Sequence, residues 1–73
     1  MAKSFYHFLM KYRNIEPKEE IEFFANHAYD DHSFPKLAEE YHEISSYLEM
    51  NVDYISSMKV FDEAWELYLL EES

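Results

Sequence analysis

The sequence predicts an all-α domain, and three observations carry that prediction. Apolar residues recur at helical spacing along four stretches of the chain. No stretch shows the strict alternation that marks a half-buried strand. The breaks between periodic stretches fall at Ser, Pro and Asn, residues that start or stop helices.

The first helix is expected over Phe5 to Arg13, with Ser4 as its N-cap. Phe5, Phe8, Leu9 and Tyr12 form one apolar stripe at i, i+3, i+4 and i+7, and Tyr6 and Met10 widen it. The chain has no glycine, so Asn14, and later Asn51, is expected at the left-handed position that closes a helix. Pro17 suits the first turn of a second helix, where Glu19 and Glu20 favour the positive end. Ile21, Phe24, Ala25 and Ala28 give that helix its apolar face, while Glu19, Glu22 and Asn26 line the opposite one. "DDHSFPK", residues 30 to 36, is a connector, because the residue before a proline avoids the helical region. Phe34 is then placed to plug the core from a loop.

A third helix is predicted from about Ala38 to Met50, with Tyr41, Ile44 and Leu48 inward and Tyr47 beside them. "NVDYISS" is read as one short turn with Asp53 as its cap. The last helix begins near Ser57. Met58, Phe61, Trp65, Tyr68 and Leu69 face the core, and Lys59, Asp62, Glu63 and Glu66 form a wet stripe at i, i+3, i+4 and i+7.

Length and composition narrow the function classes. Seventy-three residues make a single domain, residues 1–73, without room for a second core. A chain this short buries only about 60% of the surface its unfolded form exposes. With no cysteine, neither disulfides nor thiolate zinc sites can compensate. Seven Tyr, six Phe and one Trp must do so by packing, since each buried ring removes on the order of 150–250 Å² from water.

The net charge is −10, unevenly spread. Residues 1–18 carry Lys3, Lys11, Arg13 and Lys18 against Glu16 alone, whereas residues 19–73 carry fifteen acids against Lys36 and Lys59. Such an acidic body repels nucleic acid and anionic membranes, so a polyanion would have to use the N-terminal end. "MAKSFYHFLMKYR" is broken by His7, Lys11 and Arg13 and is not patterned as a secretory signal. No apolar run approaches the roughly 20 residues of a membrane span, and a cytoplasmic location is expected.

Four stretches, "SFYHFLMKYR" at 4–13, "DDHSFPK" at 30–36, "EISSYLE" at 43–49 and "MKVFDEAWELY" at 58–68, resemble the YozE-like family of small Firmicute proteins. They cover nearly the whole chain in the family's order and spacing. The resemblance implies a SAM-like (sterile alpha motif-like) orthogonal bundle of four to five short helices. It brings no catalytic residues. SAM-like folds serve protein-binding and nucleic-acid-binding members alike, so the fold does not decide between them. The helix-hairpin-helix DNA binders of that class use a glycine-containing hairpin, and this chain has no glycine.

Candidate chemistry is thin. Glu39, His42 and Glu43 share a helix face with Glu-x-x-His spacing, which dimetal bundles use. Such a centre needs a second Glu-x-x-His, which is absent. His27, Asp30, Asp31 and His32 could supply at most a mononuclear partner set, and the residues read instead as a solvated face and a helix-end turn. The serines sit at caps, turns or a wet face, none in a nucleophile elbow. Carboxylate pairs such as Asp62–Glu63 are sequence neighbours and point apart on a helix. Neither metal, cofactor nor small-molecule substrate is expected, and no enzyme.

Two binding surfaces are left. Lys11, Tyr12, Arg13 and Lys18 gather near the first inter-helix turn, where cations beside an aromatic ring can hold phosphates and stack a base. The blander account is that Lys11 and Arg13 favour the negative end of the first helix. Tyr6, Met10, Leu67 and Leu70 are apolar residues beyond the main stripes of the first and last helices, and are candidates for a partner surface. The leading expectation is a protein-interaction domain whose partner is another protein or a second copy. Weak nucleic-acid binding is the alternative.

Overall fold

Three of the helices begin at residues that satisfy some of their free N–H groups. The computed structural model describes residues 3–51, 55 and 57–72, apart from the side chains at 51 and 72. Its helices are α1 (Phe5–Met10), α2 (Glu20–Asp30), α3 (Tyr41–Asn51) and α4 (Met58–Glu72), and no strand occurs among the described residues. The Asp53 turn lies outside them.

Ser4 caps α1 as expected, its Oγ accepting from the His7 N–H at 3.1 Å. The helix is shorter than the predicted span, ending at Met10. Beyond it the chain tightens rather than stops, for Lys11, Tyr12 and Arg13 donate their N–H groups three residues back, to Phe8, Leu9 and Met10. Neither Asn14 nor Asn51 takes the expected left-handed stop, because no described residue has a positive φ. Asn14 instead turns its polar groups toward Asn26 of α2, and Asn51 is still helical.

The start of α2 is a capping box. Glu19 is the N-cap, and its backbone N–H donates to Glu22 Oε1 at 3.2 Å while its side chain accepts from the Glu22 N–H. Pro17 therefore lies ahead of the helix rather than in its first turn. At the start of α4, Ser57 accepts from the Lys59 N–H through Oγ at 3.1 Å and from the Val60 N–H through its carbonyl at 3.0 Å.

The longest helix, α4, packs against the other three, and α1 also packs on α2. Phe5 sits at the centre, fully buried, with its ring 5.4 to 5.6 Å from those of Phe61, Trp65 and Tyr68. Phe8, Leu9, Phe24, Ala25, Ala28, Ile44 and Leu48 complete the interior from the other helices. Phe34 plugs the core from its loop, as the sequence predicts, and lies beneath Tyr6 and Tyr47.

Two inward assignments and one outward assignment need correction. Leu69 is half exposed, whereas the small Ala64 and Val60 are buried. The face of α4 is centred on Phe61, Ala64 and Tyr68, where a small residue lets another helix approach closely, so Leu69 is rotated outward. Tyr41 keeps its ring against Phe61 and Trp65 at 5.2 and 5.6 Å, yet remains partly exposed and donates its hydroxyl to Asp62 Oδ1 at 2.7 Å. Asn26, placed on the wet face of α2, is half-buried by its pairing with Asn14.

Candidate functional site

An open groove of about 770 Å³ lies where the first turn of α2 faces α4. Ile21, Val60, Leu67 and Leu70 supply its apolar lining, and Glu19, Glu20, Glu63 and Glu66 its acidic lining. Lys59 stands at the end where α4 begins. The α4 side follows from spacing, since 59, 63, 66, 67 and 70 lie three or four residues apart and share a stripe. Leu67 is 42% exposed and Leu70 73%, so both present apolar surface to solvent on a rigid helix.

Of the four residues predicted for a partner surface, Leu67 and Leu70 line this groove. Tyr6 and Met10 belong elsewhere. Tyr6 is half-buried over Phe34, with Lys36 Nζ 5.6 Å from its ring centre. Met10 is half-buried and lines shallower depressions beside Arg13 and Lys11. The apolar surplus of α1 is thus largely absorbed by packing, whereas that of α4 faces the groove. Sequence reasoning missed the groove's acidic lining on α2, whose nearness to α4 is a tertiary fact.

The basic residues are partly engaged. Lys11, at the C-cap of α1, forms an ion pair with Glu71 near the end of α4 and lies 4.8 Å from the centre of the Phe8 ring. Arg13 stacks on Tyr29, its guanidinium carbon 3.5 Å from the ring centre. Tyr12 packs edge-on against Phe8 at 5.5 Å. Lys18 is exposed, and its N–H donates to Glu22 Oε1 at 2.8 Å.

Glu39, His42 and Glu43 are exposed, and among the described residues no group of three His, Asp or Glu is arranged to hold a metal ion. Displaced pKa values follow local hydrogen bonds and burial. The Lys18 and Glu19 N–H groups hold the Glu22 carboxyl below its usual range. The hydrogen bond to Asp62 raises the Tyr41 phenol, and burial followed by the bond to Asp31 pushes Tyr47 up to about 12. Burial, with the nearby Tyr29, also raises Tyr6.

The family model for the YozE SAM-like fold matches residues 4–70. The chain belongs to the YozE SAM-like family. A UPF0346 protein of Bacillus licheniformis is 67% identical over 69 residues, spanning 94% of this chain and 94% of that protein. A UPF0346 protein of Listeria innocua is 53% identical over 72 residues, spanning 99% of this chain and 94% of its own. The solution NMR structure of the UPF0346 protein YozE from Bacillus subtilis shares 61% identity and superposes with a TM-score of 0.86, covering 96% of this chain and 85% of that one. The YozE SAM-like assignment agrees with the all-helical bundle expected from periodicity and resemblance. Among the described residues, no helix of this family member is long and apolar enough to cross a membrane.

Proposed function

We propose that the chain is a non-enzymatic, cytoplasmic protein-interaction domain that engages its partner through the α2–α4 groove. The observation that carries this reading is the pair Leu67 and Leu70, exposed on α4 in a groove they line with Ile21 and Val60. Exposed contiguous apolar surface edged by polar residues is what interaction sites present. The displaced pKa values support a structural rather than catalytic role for those groups, since they follow from helix capping at Glu22, the hydrogen bond to Asp62 at Tyr41, and burial with the bond to Asp31 at Tyr47. Engagement of Lys11 with Glu71 and of Arg13 with Tyr29 favours protein over nucleic acid, because a phosphate would have to compete for both cations. The reading needs no cofactor and no small-molecule substrate.

The test is capture of partners from native lysate at moderate salt, using the wild type and the double variant Leu67→Ser/Leu70→Ser, each with and without nuclease. A stoichiometric protein that survives nuclease and is lost with the variant is the expected result. Material that vanishes with nuclease, and is retained by the variant but lost in Arg13→Ala/Lys18→Ala, would replace this reading with nucleic-acid binding. Circular dichroism of both variants controls for folding.

A further inference from the structure

Resting on the interaction reading, we infer that the occupant of the α2–α4 groove is a cationic amphipathic helix of a partner protein, about three turns long. Four carboxylates, Glu19, Glu20, Glu63 and Glu66, line the groove together with Ile21, Val60, Leu67 and Leu70, with Lys59 the one base among the lining residues. Apolar contact with the apolar lining supplies affinity, and the carboxylates select charge: a partner with Lys or Arg flanking its apolar stripe satisfies them, whereas an acidic one meets like charges. The length follows from α4. Lys59 to Leu70 covers twelve residues, whose ends stand about 16 Å apart along the helix, which matches three turns of a partner laid alongside. Apolar residues at i, i+3, i+4 and i+7 of such a helix can meet the apolar lining while the basic residues beside them meet the carboxylates.

A second copy fits less well. It would bring another body of net charge −10. Its basic end is also partly engaged, with Lys11 on Glu71 and Arg13 on Tyr29.

The experiment is an NMR titration of the isotopically labelled full chain with three synthetic peptides of about 15 residues, near the length at which an isolated helix becomes stable. All three carry Leu at i, i+3, i+4 and i+7, and the remaining positions are Lys, Gln or Glu. The Leu/Lys peptide is expected to shift Ile21, Val60, Leu67 and Leu70, and to bind about tenfold more weakly to Glu63→Lys/Glu66→Lys, a loss of about 1.4 kcal/mol. Leu67→Ser/Leu70→Ser is expected to weaken it to a similar degree.

Equal binding of the Leu/Gln or Leu/Glu peptide in the groove overturns the cationic occupant while leaving the interaction reading intact. Leu/Lys shifts spread over the acidic surface and indifferent to Leu67→Ser/Leu70→Ser overturn it too, as simple counterion binding. A concentration-dependent dimer in sedimentation, with the groove shifts appearing in the protein alone, makes the occupant a second copy. If no peptide enters the groove the cationic helix is rejected. If Leu67→Ser/Leu70→Ser also captures the same proteins as wild type, the interaction reading falls with it.

Discussion

Asn14 and Asn26 exchange hydrogen bonds across the junction of α1 and α2. The Asn14 N–H donates to Asn26 Oδ1 at 3.1 Å, and Asn26 Nδ2 donates back to the Asn14 carbonyl at 2.8 Å. One carboxamide thus serves a backbone donor and acceptor at a turn that has no glycine. Asn26→Ala should lower stability by about 0.5–1.5 kcal/mol, since two solvent-accessible main-chain groups exchange their partner for water. Asn26→Asp keeps the acceptor but sets a carboxylate against the Asn14 carbonyl, and should be the worse of the two at neutral pH. Urea denaturation of the three proteins checks the order. A neutral Asn26→Ala would show that water replaces the pair without cost.

Phe5 is the most exacting position in the core. Its ring touches aromatic partners from α1, α2 and α4, and its N–H donates to the Ala38 carbonyl at 3.3 Å. Phe5→Ala should cost about 3–5 kcal/mol. A domain of this size has only about 4–11 kcal/mol of stability in total, so the variant should be partly or largely unfolded near the growth temperature. Phe5→Leu keeps most of the buried volume and should lose well under half as much. Thermal unfolding followed by circular dichroism measures both, and equal losses would show that edge-to-face ring geometry outweighs volume at this site.

Much of this architecture was legible because helical periodicity is local. The stripe Phe5, Phe8, Leu9 and the plug Phe34 follow from spacing and from one proline, and each is buried. Leu69 was misplaced because reading by side-chain size prefers Leu to Ala. The face of α4 is decided instead by where a neighbour must come close, and that neighbour is distant in sequence. Asn14 misled for a related reason. A left-handed stop is the local solution, but Asn26, twelve residues on, offered a tertiary one.

The candidate site was half legible. A surplus of Leu on α4 signalled exposure, and Leu67 and Leu70 do line the groove. The same signal on α1 was false for Tyr6, because a loop residue, Phe34, takes up its ring. That Glu19 and Glu20 face Glu63 and Glu66 depends on how α2 meets α4, which no spacing rule encodes.

The ion pair between Lys11 and Glu71 is asymmetric in what its removal does. Glu71 lies in the last turn of α4, where the helix dipole is negative, and Lys11 sits at the C-terminal end of α1. Glu71→Gln removes an unfavourable charge along with the pair and should change stability by less than about 0.5 kcal/mol. Lys11→Ala leaves Glu71 facing those carbonyls alone and should cost more, up to about 1 kcal/mol. Because both side chains are partly exposed, the difference should shrink as salt is raised. Paired urea titrations at low and high ionic strength decide it, and equal losses in both variants would remove the dipole from the explanation.

Alkaline stability should turn on Tyr47. Its hydroxyl donates to Asp31 Oδ2 at 2.6 Å, and Asp31 Oδ1 accepts from the Ser33 N–H at 3.0 Å, so one carboxylate ties α3 to the loop that carries Phe34. Burial first, then that hydrogen bond and the Asp31 charge, push the phenol up to about 12. In the unfolded chain a phenol ionises near about 10. A group whose folded pKa is raised contributes stability that is fully present below its unfolded pKa. The contribution is then lost as pH climbs through the folded value. Wild type should therefore lose stability between about pH 10 and 12. Tyr47→Phe should be weaker by about 1 kcal/mol at neutral pH, from the missing hydrogen bond, but flatter across the alkaline range. Ultraviolet phenolate titration of the folded protein should lose its latest-ionising tyrosine in the variant. If the late ionisation persists in Tyr47→Phe, the raised phenol belongs to another residue, with Tyr41 on Asp62 the next to replace.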